Sequence, residues 1–252
     1  NFFKNRQALW ALTRSQTKAR FAGLKLGVWW VFVIPLAMAF CINAVFVLAF
    51  KVDMPHYTFF ILSGLIPWFF ISQSVSESTN AFSSNRHMLR QGVFPREFIP
   101  LAAVLSNFLI FLPGFFILIP FYIVIQPAVF LLLPALAFLI LFMLVFTLGL
   151  GLIFAAVNTF FKDTSYFLST GLMFWFWMTP IFYSETMLDF PYRWICLLNP
   201  VTYYVSAFRS ILYEAVCPGA GEWILLFLVS LIFLGAGCAY YFKNEQEILK
   251  KT

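Results

Sequence analysis

The chain has 252 residues, 62% of them hydrophobic and only 10% charged, with 35 Phe and 8 Trp. A mean hydropathy of +0.89 excludes a soluble globular domain, because a fold of this size has too little interior to hide so many large apolar side chains. A formal charge of +6 would point to nucleic acid in a soluble protein; in a polytopic membrane protein it reads as basic cytoplasmic loops, and no nucleic-acid partner is expected.

Residues 1–27 form no span. Trp10, Thr13, Thr17, Phe21 and Leu24 recur at helical spacing, and Arg14, Lys18 and Lys25 fall on another stripe. This predicts an amphipathic helix on the inner leaflet, its basic side near anionic lipid heads; an ordinary solvated helical tail is the plainer alternative. Six apolar runs of about 20 residues or more follow. They are 28–50, with Pro35 and Asn43 inside, then 57–75, 98–125, 128–157, 165–183 and 223–242, with Gln126-Pro127 dividing the third from the fourth. Proline and glycine within such spans are tolerated where neighbours re-satisfy the backbone. A cytoplasmic N-terminus places every basic residue inside except Lys51, Arg193 and Arg209, so both termini are expected in the cytoplasm. The fold class is all-α integral membrane, a single transmembrane domain over 1–252 with six transmembrane helices.

A polar island, NRHMLRQGVFPRE (Asn85–Glu97), separates the second and third spans. Ser83, Ser84 and Asn85 are helix N-cap types, Arg86, His87 and Arg90 share a face, and Gly92 ends the run before Phe94-Pro95 turns the chain. The island reads as a short amphipathic helix parallel to the membrane or as a solvated basic loop. On the outer side, 184–222 is too long for a structureless connection. Tyr192–Leu198 and Val201–Tyr213 are apolar and helical in pattern, broken at Asn199-Pro200. They predict two re-entrant half-helices, which must be covered by protein or line a cavity. Aromatic residues crowd this level: Trp175, Phe176, Trp177, Phe182, Tyr183, Tyr192, Trp194, Tyr203 and Tyr204. They fit an interfacial aromatic belt. They also fit a pore whose flat faces and polar tips let sugar rings slide, and Trp68, Trp175, Trp177, Phe182, Tyr183, Tyr203 and Tyr204 are the candidates for that lining.

Chemistry of its own is hard to find in this chain. The six spans as bounded carry no Asp, Glu, Lys, Arg or His, so nothing obvious couples a proton. GxxxxGK[ST], HExxH and GxSxG are all absent. His56 and His87 fall on opposite sides of the membrane. Cys41, Cys196, Cys217 and Cys238 form no CxxC pair; they read as inert thiols, with a Cys196–Cys217 disulfide as the weaker option. Glu185, Asp189 and Glu214 are loose acidic candidates without a partner base. No catalytic residue, metal site or cofactor is expected, and any uphill transport must draw on another subunit.

Four stretches carry a family resemblance: ILSGLIPWFFISQSVSESTNAF (Ile61–Phe82), MLRQGVFPREFIPLAAVLSNF (Met88–Phe108), NTFFKDTSYFL (Asn158–Leu168) and LLNPVTYYVSAFRSILYE (Leu197–Glu214). In order and together they resemble the permease subunit of ABC transporters that export polysaccharides such as O-antigens, capsules and teichoic acids. Lys162-Asp163 stands where that family usually has Arg-Asp, which leaves its pairing open. The resemblance implies a coupling helix within 80–97 that seats in a separate ATPase, with Arg86, His87, Arg90, Arg96, Glu97, Lys162 and Asp163 as ATPase-coupling residues. It implies that the outer hairpin is a gate, with Asn199, Pro200 and Arg209 in it. ATP and Mg would be held by two copies of the ATPase, and this chain would be a homodimer in the bacterial inner membrane moving a lipid-linked polysaccharide. Export of a drug or lipid by the same superfamily is the alternative, and a membrane enzyme acting on lipid-linked sugars the more distant one.

Overall fold

The computed structural model describes residues 6–23, 27–51, 53–85, 95–189 and 193–251, and among these the regular structure is helical. α1 (Arg6–Phe21) is followed by a 3-10 turn at Gly27–Trp29 that opens α2 (Trp30–Phe50). α3 (Tyr57–Thr79) runs into the single turn α4 (Ala81–Ser84), and α5 (Phe98–Ile125) begins beyond the island. A 3-10 stretch, Pro127–Leu132, leads into α6 (Leu133–Phe160). α7 (Thr164–Met178), α8 (Arg193–Leu198), α9 (Pro200–Leu212) and α10 (Ala220–Lys251) complete the chain.

Five helical segments are long and apolar enough to cross a membrane: Trp30–Leu48, Tyr57–Thr79, Phe98–Ile125, Pro127–Phe160 and Ala220–Lys243. They match five of the six expected spans, with the break at Gln126 where expected. The run 165–183 differs. α7 has 15 residues, a rise of roughly 22 Å against a hydrocarbon core of roughly 30 Å. Pro180 explains its end. The residue before a proline is pushed out of the α region, and Thr179 is extended at φ −90, ψ 131.

α3 is the centre of the bundle. Of its most apolar stretch 72% is buried, against 11% for α2, which lies on the periphery. Small residues let neighbours come close. A Cβ on Gly64 would meet Val205 Cγ1 at 3.1 Å, and one on Gly151 would meet Ser78 Oγ at 2.8 Å. α6 and α10 meet backbone to backbone at Gly149 and Gly237. Lipid tails are as apolar as these side chains, so close packing rather than a hydrophobic drive holds such helices together. α3 also runs past the expected end at Val75, which brings Glu77 into the helix.

The N-terminal segment is helical over Arg6–Phe21 and packs on protein along part of its length. Leu9 and Leu12 are buried in a cluster with Phe98, Ala102 and Ala103 of α5, Thr13 beside them is buried too, and Trp10 is 54% exposed. The alanines make room for α1 to dock on protein as well as face lipid.

Candidate functional site

The segment 184–222 holds a helical hairpin of two short helices, α8 and α9. α8 and α9 are separated at Asn199, and Pro200 takes the first helical position, where its missing N–H is no loss. The Asn199 side chain caps α9 by accepting from the Val201 N–H at 3.0 Å. It also accepts from Trp175 Nε1 at 2.7 Å and donates through Nδ2 to Thr179 Oγ1 at 2.8 Å. One side chain therefore joins the hairpin to the end of α7.

Beyond Thr179 the chain has lost helical pairing, and its carbonyls need other donors. Arg209 of α9 supplies them. Nη2 donates to the carbonyls of Pro180 at 2.7 Å and Ile181 at 2.9 Å, and Nη1 to that of Tyr183 at 3.4 Å. Tyr57, at the start of α3, donates to the intervening Phe182 carbonyl at 2.6 Å. The guanidinium also lies 3.8 Å from the centre of the Phe60 ring, a cation–π contact, and Nε is buried without a hydrogen-bond partner. Burial lowers the Arg209 pKa to about 10, so the group stays cationic at pH 7. Polar backbone away from water is tolerated only when protein satisfies it, and here four successive carbonyls are met by two side chains.

The aromatic candidates divide by position. Trp68 and Phe182 are in the core, Trp68 edge-on to Trp175 at 6.2 Å and Phe182 edge-on to Trp177 at 5.0 Å. Tyr204 is fully buried and shares a 2.6 Å hydrogen bond with Ser230 of α10. Tyr203 is half-buried and donates to the Leu197 carbonyl at 2.6 Å. Tyr183 donates to the Trp177 carbonyl at 3.3 Å, and Trp177 itself is 57% exposed. Cys196 and Cys217 are both free, and burial pushes the Cys196 thiol up. Glu185 lies in a 3-10 turn, Asp189 just after it, and Glu214 accepts from Ser210 Oγ at 3.1 Å. Among the described residues no three His, Cys, Asp or Glu gather as a metal site.

Arg86, His87 and Arg90 lie outside the described residues. Arg96 and Glu97 form the turn that starts α5, and Arg96 Nη1 is buried without a hydrogen-bond partner. Lys162 and Asp163 are exposed at the turn between α6 and α7. Sequence reasoning did not single out a polar knot between α1, α3 and α5. Arg20 of α1 pairs with Glu77 of α3 at 3.0 Å, and the carboxylate also accepts from Gln73 at 2.6 Å and from Asn107 of α5 at 2.6 Å. Thr17 and Ser106 add a hydroxyl contact at 2.9 Å. The available signal was Glu77 itself, an acid in helical register with a span whose apolar run ends just before it. Tyr57 was missed as well, because an interfacial tyrosine carries no mark of the carbonyl it serves.

The profile of the ABC-2 type transporter family matches residues 7–213. The chain is 31% identical over 247 residues to the O-antigen export system permease protein RfbA of Myxococcus xanthus, covering 97% of this chain and 95% of that protein. It is 30% identical to an RfbA of Klebsiella pneumoniae, with 92% and 90% covered. The polysialic acid transport protein KpsM of Escherichia coli is 27% identical, with 95% and 94% covered.

Proposed function

The chain belongs to the ABC-2 type transporter family, and from that premise we propose that it is the permease of an ATP-driven exporter moving a lipid-linked polysaccharide of the O-antigen kind across the bacterial inner membrane. The observation that carries this reading is end-to-end similarity to an O-antigen export permease, over 97% of this chain and 95% of the relative. A domain shared in part would leave the cargo open; similarity over the whole length, hairpin included, favours the same task.

In this reading an ATPase partner binds ATP and magnesium, two copies of it join a homodimer of this chain, and both termini are cytoplasmic. α7 and the extended residues after it make the sixth crossing. Arg86, His87, Arg90, Arg96 and Glu97 form the docking surface for the ATPase, with Lys162 and Asp163 beside them. The hairpin around Asn199, Pro200 and Arg209 is the outer gate, tied to α3 and α7 so that it moves with them. Sugar rings slide past the aromatics that keep an accessible face, Trp177 foremost, with Trp175, Tyr183 and Tyr203; Trp68, Phe182 and Tyr204 support these from the core.

The test is to co-express the chain with the ATPase encoded beside it, purify through a tag on the permease, and measure ATP hydrolysis with and without lipid-linked glycan. A stable complex whose hydrolysis responds to the glycan is expected. A stable complex indifferent to glycan would move the cargo to drugs or other lipids, and no complex would remove the docking assignment. Arg90→Glu should leave membrane insertion intact while hydrolysis no longer drives export.

A further inference from the structure

A cavity of about 190 Å³ lies between α2, α3 and α5, away from the hairpin and from the docking residues. Its wall is apolar, with Phe32, Ile66, Phe70, Phe111 and Gly114 among its lining. Trp30 and Ile34 also line it and are 42% and 52% exposed on the peripheral helix α2, so the space opens sideways toward hydrocarbon. Along α5 the lining runs from Asn107 to Leu118, a rise of roughly 16 Å. One end alone is polar, and it is formed by Arg20, Gln73 and Asn107. A gap of this kind facing a bilayer leaves its lining short of dispersion contacts unless a chain enters it.

The polar end has the charge to hold a phosphate. α1 carries Arg6, Arg14, Lys18 and Arg20 and no acidic residue. Glu77 neutralises only one of these cations. Arg20 meets both Glu77 and Asn107, at 3.0 and 2.5 Å, through the same nitrogen, Nη1, and its side chain is 33% exposed. Nη2 and Nε remain as donors, and a guanidinium fork matches the oxygens of a phosphate.

We propose that this groove binds one anionic phospholipid of the inner leaflet, with an acyl chain between α2, α3 and α5 and its phosphate on Arg20. Its apolar length with one polar, cationic end fits a membrane phospholipid, an acyl chain ending in a phosphate. The lipid is resident, filling the gap under α2, and is distinct from the transported molecule. This assignment does not depend on what the transporter exports.

The full-length chain in detergent micelles, titrated with phosphatidylglycerol or phosphatidylethanolamine and read by native mass spectrometry, tests it. Wild type should retain one phosphatidylglycerol more tightly than phosphatidylethanolamine. Arg20→Gln should weaken phosphatidylglycerol binding roughly tenfold or more and phosphatidylethanolamine less, because both carry the phosphodiester that Arg20 holds and only phosphatidylethanolamine carries an ammonium that offsets it. Glu77→Gln keeps an amide in the knot but removes the competing carboxylate, and should tighten phosphatidylglycerol. Gly114→Leu fills the groove without touching its polar end, and should weaken both lipids. Equal retention of the two lipids by wild type, or phosphatidylglycerol binding indifferent to Gly114→Leu or to both charge variants, overturns the site. Displacement of phosphatidylglycerol by an equal concentration of a polyprenyl phosphate assigns the groove to the carrier lipid and overturns the resident one. Should Arg20→Gln fail to fold, the opposite signs expected for Glu77→Gln and Gly114→Leu still decide.

Discussion

At the crossing of α6 and α10 the chain is held by what Gly149 and Gly237 lack, whereas at the C-terminal end of α7 it is held by what Arg209, Tyr57 and Asn199 supply. A Cβ on Gly237 would come within 2.5 Å of the Gly149 carbonyl oxygen, so the two backbones touch. Both helices satisfy their own backbone, and proximity alone gives the contact its dispersion energy. The segment after Thr179 is not helical, so its carbonyls at 180–183 call for donors from elsewhere in the chain, including a buried cation. The contrast teaches where polarity belongs in this fold. Regular helix permits small residues and silence at an interface; broken helix demands hydrogen-bonding side chains.

Arg209→Met should break the second region most severely. It leaves two buried carbonyls and a part-buried one without their donor and should destabilise the protein by on the order of 3 kcal/mol or more in denaturant titration of the detergent-solubilised chain. A stability equal to wild type would mean that other groups serve those carbonyls. Arg209→Lys keeps the charge without the fork and should fall between the two.

Gly149→Ala probes the first region. Its Cβ meets the Phe233 backbone, which cannot rotate away, and a loss of about 1–3 kcal/mol is expected in the same titration. Gly171→Ala in α7 is the control. Nothing lies within 4 Å of its Cβ position, so stability should be unchanged or slightly higher. An equal loss from both substitutions would show that helix propensity rather than close approach sets the effect.

Smaller effects sharpen the contrast. Tyr57→Phe removes the donor to the Phe182 carbonyl and should cost about 1 kcal/mol, read as a lower midpoint of unfolding. Tyr204→Phe removes a hydroxyl pair between two regular helices, where both partners have alternatives: Ser230 Oγ also bonds the Phe142 and Leu226 carbonyls. About 0.6 kcal/mol is expected. A larger loss for Tyr204→Phe than for Tyr57→Phe would reverse the comparison.

Much of this was legible in the sequence. Asn199-Pro200 announced a helix break because proline fixes φ and asparagine caps, and both act within a few residues of themselves. Gln126-Pro127 did the same between α5 and α6. Where α1 docks was not legible, because Leu9 and Leu12 pack in one cluster with Ala102 and Ala103, which are far away in the chain. Arg209 read, by resemblance, as a residue of the outer gate, and its role toward carbonyls was not legible because those it serves lie across the fold on Pro180 and Ile181. Glu77 fell just beyond the hydropathy window for the same kind of reason: its partners Arg20 and Asn107 belong to other helices.

By itself the sequence determined that the chain lives in a membrane, that it has several apolar segments, and where proline and asparagine break them. These follow from hydropathy summed over a window and from the local chemistry of proline, glycine and asparagine. Only the tertiary structure decided that α3 is central and α2 peripheral, that Glu77 sits inside a three-donor knot, and that Arg209 is a carbonyl clamp. Each of these depends on partners remote in the chain, whose proximity is set by helix packing, and side-chain type alone does not encode which helix will stand opposite.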